Sequence, residues 1–280
     1  MPTSRALDPV RDLLATALLL VATVLGAAWL PAVWLEENVV DQEGFLAIAQ
    51  PLGSDPELQR ELSDSAVEEV LGNERVPGWL ADSIRPTLEE QAARLTGTGG
   101  YQAVWDEAMV QLHGALFTPG GSPVDVDLAP LADEMLTAVE DAVPFVSVPR
   151  PEDLTITLFT VPDVPLLSRA EVLDPWAHRL GPIALVLAAL ALLLGAHRRI
   201  LLVLAGLGGI AAGLGDWFLA QRIEQIVPDQ IDQAAVLGSI VQAFQERFAA
   251  EVGPSAVILL GVGALLAAAG LVLLGLRHRS

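Results

Sequence analysis

The stretch Leu13–Trp34, LLATALLLVATVLGAAWLPAVW, decides the fold of this chain because it contains no charged residue over 22 positions. A helix of that length, rising about 1.5 Å per residue, crosses a hydrocarbon core of about 30 Å. Three further stretches are similarly apolar: LGPIALVLAALALLLGA at Leu180–Ala196, ILLVLAGLGGIAAGLGDWFLA at Ile200–Ala220 and SAVILLGVGALLAAAGLVLLGL at Ser255–Leu276. None alternates apolar and polar residues as a membrane barrel strand does. The sequence therefore predicts four transmembrane helices.

The arginines nearest the predicted spans indicate their orientation. Arg5 and Arg11 precede the first span, a His-Arg-Arg turn joins the second to the third, and an Arg-His-Arg segment follows the fourth. The positive-inside rule places all three clusters in the cytoplasm. We therefore expect a multi-pass plasma-membrane protein with both termini cytoplasmic. Its predicted segments are a cytoplasmic N-terminus (1–12), spans at 13–34, 178–196, 200–220 and 255–276, extracytoplasmic segments at 35–177 and 221–254, a cytoplasmic turn (197–199) and a cytoplasmic C-terminus (277–280).

The first span has one alternative interpretation, a cleaved signal peptide. Gly26-Ala27-Ala28 offers small residues at a cleavage position. The apolar run is longer than a typical signal-peptide core, however, and it ends in Trp29 and Trp34, which suit a membrane interface. We expect a retained anchor rather than a cleaved segment.

Acidic residues are concentrated between the first two spans. The whole chain has 35 acidic and 15 basic residues, a net charge of −20. Segment 35–177 alone holds 27 acidic residues and 6 arginines, a net charge of −21. Such a segment repels nucleic acid and anionic lipid headgroups. The expected partners are the lipid bilayer and a membrane or envelope protein, with self-association as an alternative, and no nucleic acid is expected.

Residues that carry chemistry are scarce. The chain lacks cysteine and lysine, which excludes disulfides, thiol catalysis and a phosphate-binding GxxxxGK[ST] loop. It contains no GxSxG or HExxH motif. Asp125 and Asp127 resemble the opening of a calcium loop, but Ala129 occupies the next ligand position. The sequence therefore predicts no enzyme activity, no cofactor and no metal site.

Segment 35–177 is predicted to be mostly helical. Ser54-Asp55-Pro56-Glu57 indicates a capping box with Ser54 as the cap of a helix over 55–71. The 101–117 helix places five apolar side chains on one face: Val104, Trp105, Ala108, Leu112 and Leu116. Further helical runs are expected at 36–52, 79–96, 130–142 and 166–173.

Two short segments of 35–177 alternate apolar and polar residues, at 124–128 and 154–159. They predict two strands of one small sheet, either parallel through a crossover or antiparallel. The predicted fold class is mainly α, a four-transmembrane-helix bundle with an extracytoplasmic, mostly helical (α+β) domain that contains a small two-stranded sheet.

The segment between the third and fourth spans predicts an amphipathic helix over about 229–251. Its apolar stripe is Ile231, Ala234, Leu237, Val241, Phe244 and Phe248. Interfacial helices usually carry a basic polar face, which this helix lacks. Packing against segment 35–177 is therefore favoured over lying on the outer leaflet.

Asp216, near the outer end of the third span, is the ionisable residue that stands out within the spans. Arg179 and Arg222 are candidate partners at the outer edge. An interfacial or structural role is favoured, and a proton or ion pathway is the alternative. The spans also carry small residues one turn apart, suited to close helix contacts within the bundle or with another subunit: Ala22, Gly26, Ala205, Gly209, Gly213, Ala264 and Ala268.

Several segments resemble a group of uncharacterised actinobacterial four-span integral membrane proteins with a large extracytoplasmic domain. The resemblance lies in PAVW at 31–34, VDQEGF at 40–45, PLGSDP at 51–56, the 154–159 strand, the segment 172–199 and the glycine-rich third span. It implies the same four-span layout and carries over no catalytic residue.

The function expected from these features is that of a non-enzymatic structural or interaction component, a scaffold or accessory protein that faces the cell envelope. A ligand-sensing or regulatory protein that acts through a partner is the alternative. A small transporter is third.

Overall fold

The computed structural model describes residues 4–60, 85, 94, 96, 98–120, 122–127, 155–161, 174–223 and 235–277. The chain divides into two compact units. The span unit consists of Met1–Val40, Val172–Val227 and Phe244–Ser280, and the mixed unit consists of Asp41–Glu171 and Pro228–Ala243. The predicted helices at 130–142 and 166–173, and all of the 79–96 run except three isolated positions, lie outside the described residues.

In chain order the helices are α1 (Ser4–Leu35), α2 (Gln42–Ala49), α3 (Gly99–Leu116), α4 (Asp174–Leu194), α5 (Arg198–Arg222) and α6 (Ala235–Arg277), and the strands are β1 (Ser122–Asp127) and β2 (Thr155–Val161). A π-helical turn, Glu36–Val40, follows α1, and a 3-10 turn, Gln50–Ser54, follows α2. By length and composition, four helical stretches can cross a membrane: Pro9–Val40, Pro175–Leu194, Arg198–Arg222 and Leu237–Leu276. Each contains most or all of one predicted span.

The span unit has two chemically different ends. One apolar cluster joins Ala15, Leu19, Ala191 and Leu201 near the arginines of the α4–α5 turn. We call this the basic end. The other cluster joins Trp34, Ala220, Phe248 and Val252 near Glu36, Glu37 and Glu251. We call this the acidic end. α1 and α5 therefore run in the same direction, whereas α4 and α6 run in the opposite one.

Burial in the span unit is the inverse of the pattern in a water-soluble protein. Large side chains such as Leu13, Leu185 and Leu265 are 76%, 74% and 73% exposed. Such exposure is consistent with membrane helices, whose large apolar side chains face lipid while close contact between small residues favours helix association. Alanine and glycine together make up most of the buried positions of the unit, and the buried alanines are Ala15, Ala22, Ala177, Ala184, Ala191, Ala212, Ala220, Ala256 and Ala267.

α6 differs from the prediction of an amphipathic helix over about 229–251, within segment 221–254, followed by a separate span at 255–276. One helix runs from Ala235 to Arg277 with Pro254 inside it. A proline removes one backbone donor, and the rest of a long helix can absorb that loss with a local adjustment. Of the predicted stripe, Phe248 is buried, whereas Ile231 and Ala234 lie outside the described residues.

The core of the mixed unit forms around α3. The predicted 101–117 helix is confirmed as Gly99–Leu116, and Thr98 caps it by accepting a hydrogen bond from the Tyr101 amide at 3.3 Å. Trp105 donates its indole N–H to the carbonyl oxygen of Ala49 at 3.1 Å and lies against Gly53. The predicted face is buried at Val104, Trp105, Ala108 and Leu112, with Leu116 half-buried and Met109 and Ala115 also in the core.

The predicted capping box at Ser54 is wrong by one residue. Asp55 is the cap of the helical segment 56–60, because its Oδ1 accepts hydrogen bonds from the amides of Glu57 at 2.7 Å and Leu58 at 3.2 Å. Ser54 instead ends the 3-10 turn, and its hydroxyl contacts Gln102 Oε1 at 3.3 Å. Both residues are good N-caps, and the preceding turn decides between them.

β1 and β2 form the predicted two-stranded sheet and are antiparallel. Ser122 pairs with Val161 and Asp127 with Thr155, and the register shifts between Val124 and Asp125. Val124 and Val126 are fully buried, as alternation along a half-covered strand requires.

Candidate functional site at the acidic end of the spans

A π-helical turn begins the candidate site. After Leu35 the α-helix widens into the π-helical turn Glu36–Val40. The side-chain amide of Asn38 donates to the Trp34 carbonyl oxygen at 3.0 Å. π-helical turns inside longer helices are often found at functional positions because they redirect side chains. Here the turn brings two consecutive glutamates beside the first turn of α4.

His178 lies between these two glutamates. Its Nδ1 is 3.3 Å from Glu36 Oε2, and its Nε2 is 3.2 Å from Glu37 Oε1. Glu36 is 15% exposed, whereas Glu37 and His178 are each more than half exposed. A protonated imidazole has two N–H donors, so it can hold both carboxylates at once and tie α1 to α4.

The same three side chains form a candidate divalent-metal set, since their ligand atoms all lie within 4.8 Å of one another. One imidazole nitrogen and two carboxylate oxygens match the donor types that bind Zn²⁺. Both ring nitrogens of His178 already contact carboxylates. This favours direct contact between the imidazole and the two glutamates over a bound metal ion.

Sequence reasoning missed this cluster because 141 residues separate Glu37 from His178. The positions of these residues relative to the predicted spans could have indicated the cluster. The glutamates follow the first predicted span and the histidine precedes the second, so both belong to the same end of the bundle.

A second group of contacts joins α1, α5 and α6 at the acidic end. The Trp34 indole N–H donates to Glu251 Oε2 at 3.0 Å, and Arg247 Nε lies 2.6 Å from Glu251 Oε1. The rings of Trp34 and Phe248 meet edge to face, with centroids 4.9 Å apart. Ala220 of α5 packs in the same cluster. The Trp34–Glu251 hydrogen bond therefore joins α1 to α6, whereas the Arg247–Glu251 pair lies within α6.

Asp216 is buried on α5, with 4% of its surface exposed. Its Oδ2 has no hydrogen-bond partner in the described part of the chain. The Arg222 guanidinium lies over the Phe218 ring, 4.7 Å from the centroid, and Arg179 is exposed on α4. No ion pair joins either arginine to Asp216 among the described residues.

The predicted small-residue positions separate into two groups. Gly209 and Gly213 pack against α6, where a Cβ on Gly213 would lie 2.7 Å from the Leu260 amide nitrogen and 2.8 Å from the Ala256 carbonyl oxygen. Ala205 packs on the cluster at the basic end, and Ala22 is buried. Ala264 and Ala268 are exposed, and no atom lies within 4 Å of a Cβ placed on Gly26. The glycine face of α5 is therefore used inside the bundle.

The α4–α5 turn at the basic end is held by the start of α1. Asp12 Oδ1 accepts hydrogen bonds from the amides of Ala196 at 2.8 Å and His197 at 3.3 Å, and Asp12 Oδ2 is 2.6 Å from His197 Nδ1. Arg11 Nε donates to the Leu194 carbonyl oxygen at 3.0 Å. These contacts fix the position of the turn that begins α5.

No protein family, curated protein or solved structure matches this chain. Its class therefore rests on its own architecture. Four helices long and apolar enough to cross a bilayer, with small residues between them and leucines outside, are consistent with a multi-pass membrane protein.

Proposed function

We propose that this chain is a non-enzymatic component of the plasma membrane that presents segment 35–177 on the outer side as a surface for another envelope or membrane protein. The observation that carries the proposal is the charge division: four apolar helices hold a segment with a net charge of −21. Cationic surfaces of a partner complement such a segment, since charge complementarity steers association.

The orientation in this proposal has support within the span unit. Arg11, Arg198 and Arg199 lie at the basic end, whereas Glu36, Glu37 and Glu251 lie at the acidic end. Arginines near span ends are enriched on the cytoplasmic side. The basic end is therefore the cytoplasmic one in our proposal.

Polar groups of the spans support an anchoring role. The hydroxyls of Thr16, Thr23 and Ser255 each donate to a carbonyl oxygen four residues earlier in the same helix, at 2.8, 3.0 and 3.0 Å. Hydroxyls bonded in this way satisfy their own helix and need no other partner. They therefore do not form a polar path across the bundle.

Topology is testable with single cysteines, because the chain has none of its own. Ser54→Cys and Ala196→Cys both replace exposed residues. A membrane-impermeant maleimide should label Ser54→Cys on intact cells and Ala196→Cys only after permeabilisation. Labelling of Ala196→Cys on intact cells would contradict the orientation.

The partner is testable by cross-linking in cells and pull-down of the full chain in mild detergent. Neutralising three exposed acids, Glu43→Gln, Glu57→Gln and Glu107→Gln, should reduce recovery of the partner, and so should high salt. The matched control replaces the same residues by aspartate and keeps the charge. Equal recovery from all variants, or no specific partner, would contradict the interaction role.

A proton or cation pathway is the second candidate, favoured by the buried, unpartnered oxygen of Asp216. Ionisable residues within spans often mark such pathways. In proteoliposomes, Asp216→Asn should abolish a flux that Glu43→Gln leaves unchanged. Absence of any flux in the unsubstituted protein would rule this candidate out.

A further inference from the structure

An open groove of about 470 Å³ lies at the basic end of the span unit, between α4, α5 and α6. Five of its seven lining residues are apolar, and the other two are arginines: Ala189, Leu192, Leu193, Leu202, Leu273, Arg198 and Arg199. The groove therefore combines a leucine-lined floor with two cations at the end of a span.

The two arginines are available to a ligand. Arg198 and Arg199 are exposed, and neither forms an ion pair or side-chain hydrogen bond among the described residues. A guanidinium presents planar N–H donors that match a phosphate group. The acidic excess of this chain is concentrated in segment 35–177, and the two arginines lie outside that segment of the sequence.

The turn that presents these arginines is fixed by other contacts. Arg11 and Asp12 hold Leu194, Ala196 and His197 through hydrogen bonds of 2.6 to 3.3 Å. Arg198 follows that turn directly and begins α5. A rigid turn lowers the entropy lost when the arginines bind a ligand.

We propose that this groove binds an anionic phospholipid, with an acyl chain along Leu192, Leu202 and Leu273 and the phosphate held by Arg198 and Arg199. A free phosphate would use only the arginines, whereas the leucines complement the hydrocarbon of a lipid. The proposal requires that the spans lie in a bilayer, but it does not depend on the partner of segment 35–177.

Native mass spectrometry of the full chain in detergent, with equal amounts of phosphatidylglycerol and phosphatidylcholine, tests this site. The unsubstituted protein should prefer phosphatidylglycerol on the order of tenfold, as two arginines near a headgroup allow. Arg198→Gln combined with Arg199→Gln should remove the preference, whereas the double lysine variant should keep most of it. Arg179→Gln, at the other end of α4, is the matched control and should bind as the unsubstituted protein does.

Two further arms separate a lipid from a free phosphate. Glycerol phosphate, which lacks acyl chains, should not displace phosphatidylglycerol. Leu273→Trp should lower binding of both lipids by filling the groove. No preference in the unsubstituted protein, an unchanged preference in the double glutamine variant, or displacement by glycerol phosphate would overturn the proposal. Cysteine labelling reports separately on the orientation, so either hypothesis can fail alone.

Discussion

Gly53, in the mixed unit, occupies a position where a side chain would clash. A Cβ at this position would overlap the five-membered ring of Trp105, which is held in place by its hydrogen bond to Ala49. A buried, hydrogen-bonded indole ring cannot move aside as the end of a flexible side chain can. Only glycine therefore fits between the 3-10 turn and α3.

Gly53→Ala should destabilise the protein by about 1–3 kcal/mol, the usual cost of overpacking a core. Thermal unfolding of the detergent-solubilised chain, followed by tryptophan fluorescence, measures the effect. Gly114→Ala is the matched control, because a Cβ there meets no atom within 4 Å. Equal melting temperatures for the two variants would contradict the described packing.

Tyr101 is the one tyrosine of the chain, so its titration can be observed directly. Burial raises the pKa of Tyr101 from 10.0 to about 12. As pH rises, the unfolded chain loses the phenol proton before the folded chain does. Tyr101 therefore lowers the free energy of unfolding as pH rises from 10 towards 12, and it has no such effect below 10. Tyrosinate absorbance at 295 nm should have its midpoint near 12 in the folded protein and near 10 in denaturant. A midpoint near 10 under both conditions would show an exposed phenol.

At the scale of elements, the α5–α6 pair rests on contact between backbones. Gly213 approaches Leu260 and Ala256, and a Cβ on Gly263 would lie 2.6 Å from the Ile210 amide nitrogen. Helices that pack on glycines come closer than side chains of ordinary size allow, and their dispersion contacts replace the hydrophobic effect in lipid.

Gly213→Ala should lower the melting temperature in detergent, at a cost of about 1–3 kcal/mol. Gly215→Ala lies two residues along the same helix, where no atom is within 4 Å of a new Cβ. That control should be neutral or slightly stabilising, because alanine is the better helix former. A loss of stability in both variants would point to a general effect of substitution in α5.

Local sequence patterns predicted most elements but few of their contacts. The spans follow from apolar length, and α3 from the spacing of Val104, Ala108 and Leu112. The Glu36–Glu37–His178 cluster joins distant segments, so no local pattern contains it. The prediction ends one helix before the apolar stretch that begins at Ser255, whereas the structure has a single helix that continues through this change of composition and through Pro254.

At the scale of the whole molecule, excess negative charge opposes compact folding. The net charge of −20 arises almost entirely in segment 35–177. Like charges repel each other, and dissolved salt screens that repulsion over about 10 Å at 0.1 M. Ionic strength is therefore expected to govern stability more than any one ion pair.

The melting temperature should rise by a few degrees when NaCl increases from about 10 mM to about 200 mM, because screening relieves repulsion. The triple glutamine variant at positions 43, 57 and 107 should respond less than the triple aspartate variant. A melting temperature that falls with salt would show that attractive ion pairs dominate instead.

The contacts of Arg11 and Asp12 also have a consequence for biosynthesis. α1 leaves the ribosome before α4 and α5, and it already carries the groups that later grip their connecting turn. The α4–α5 turn, which is made later, therefore meets side chains of α1 that are already present. In this pair of contacts the supporting side chains are synthesised before the turn that they hold.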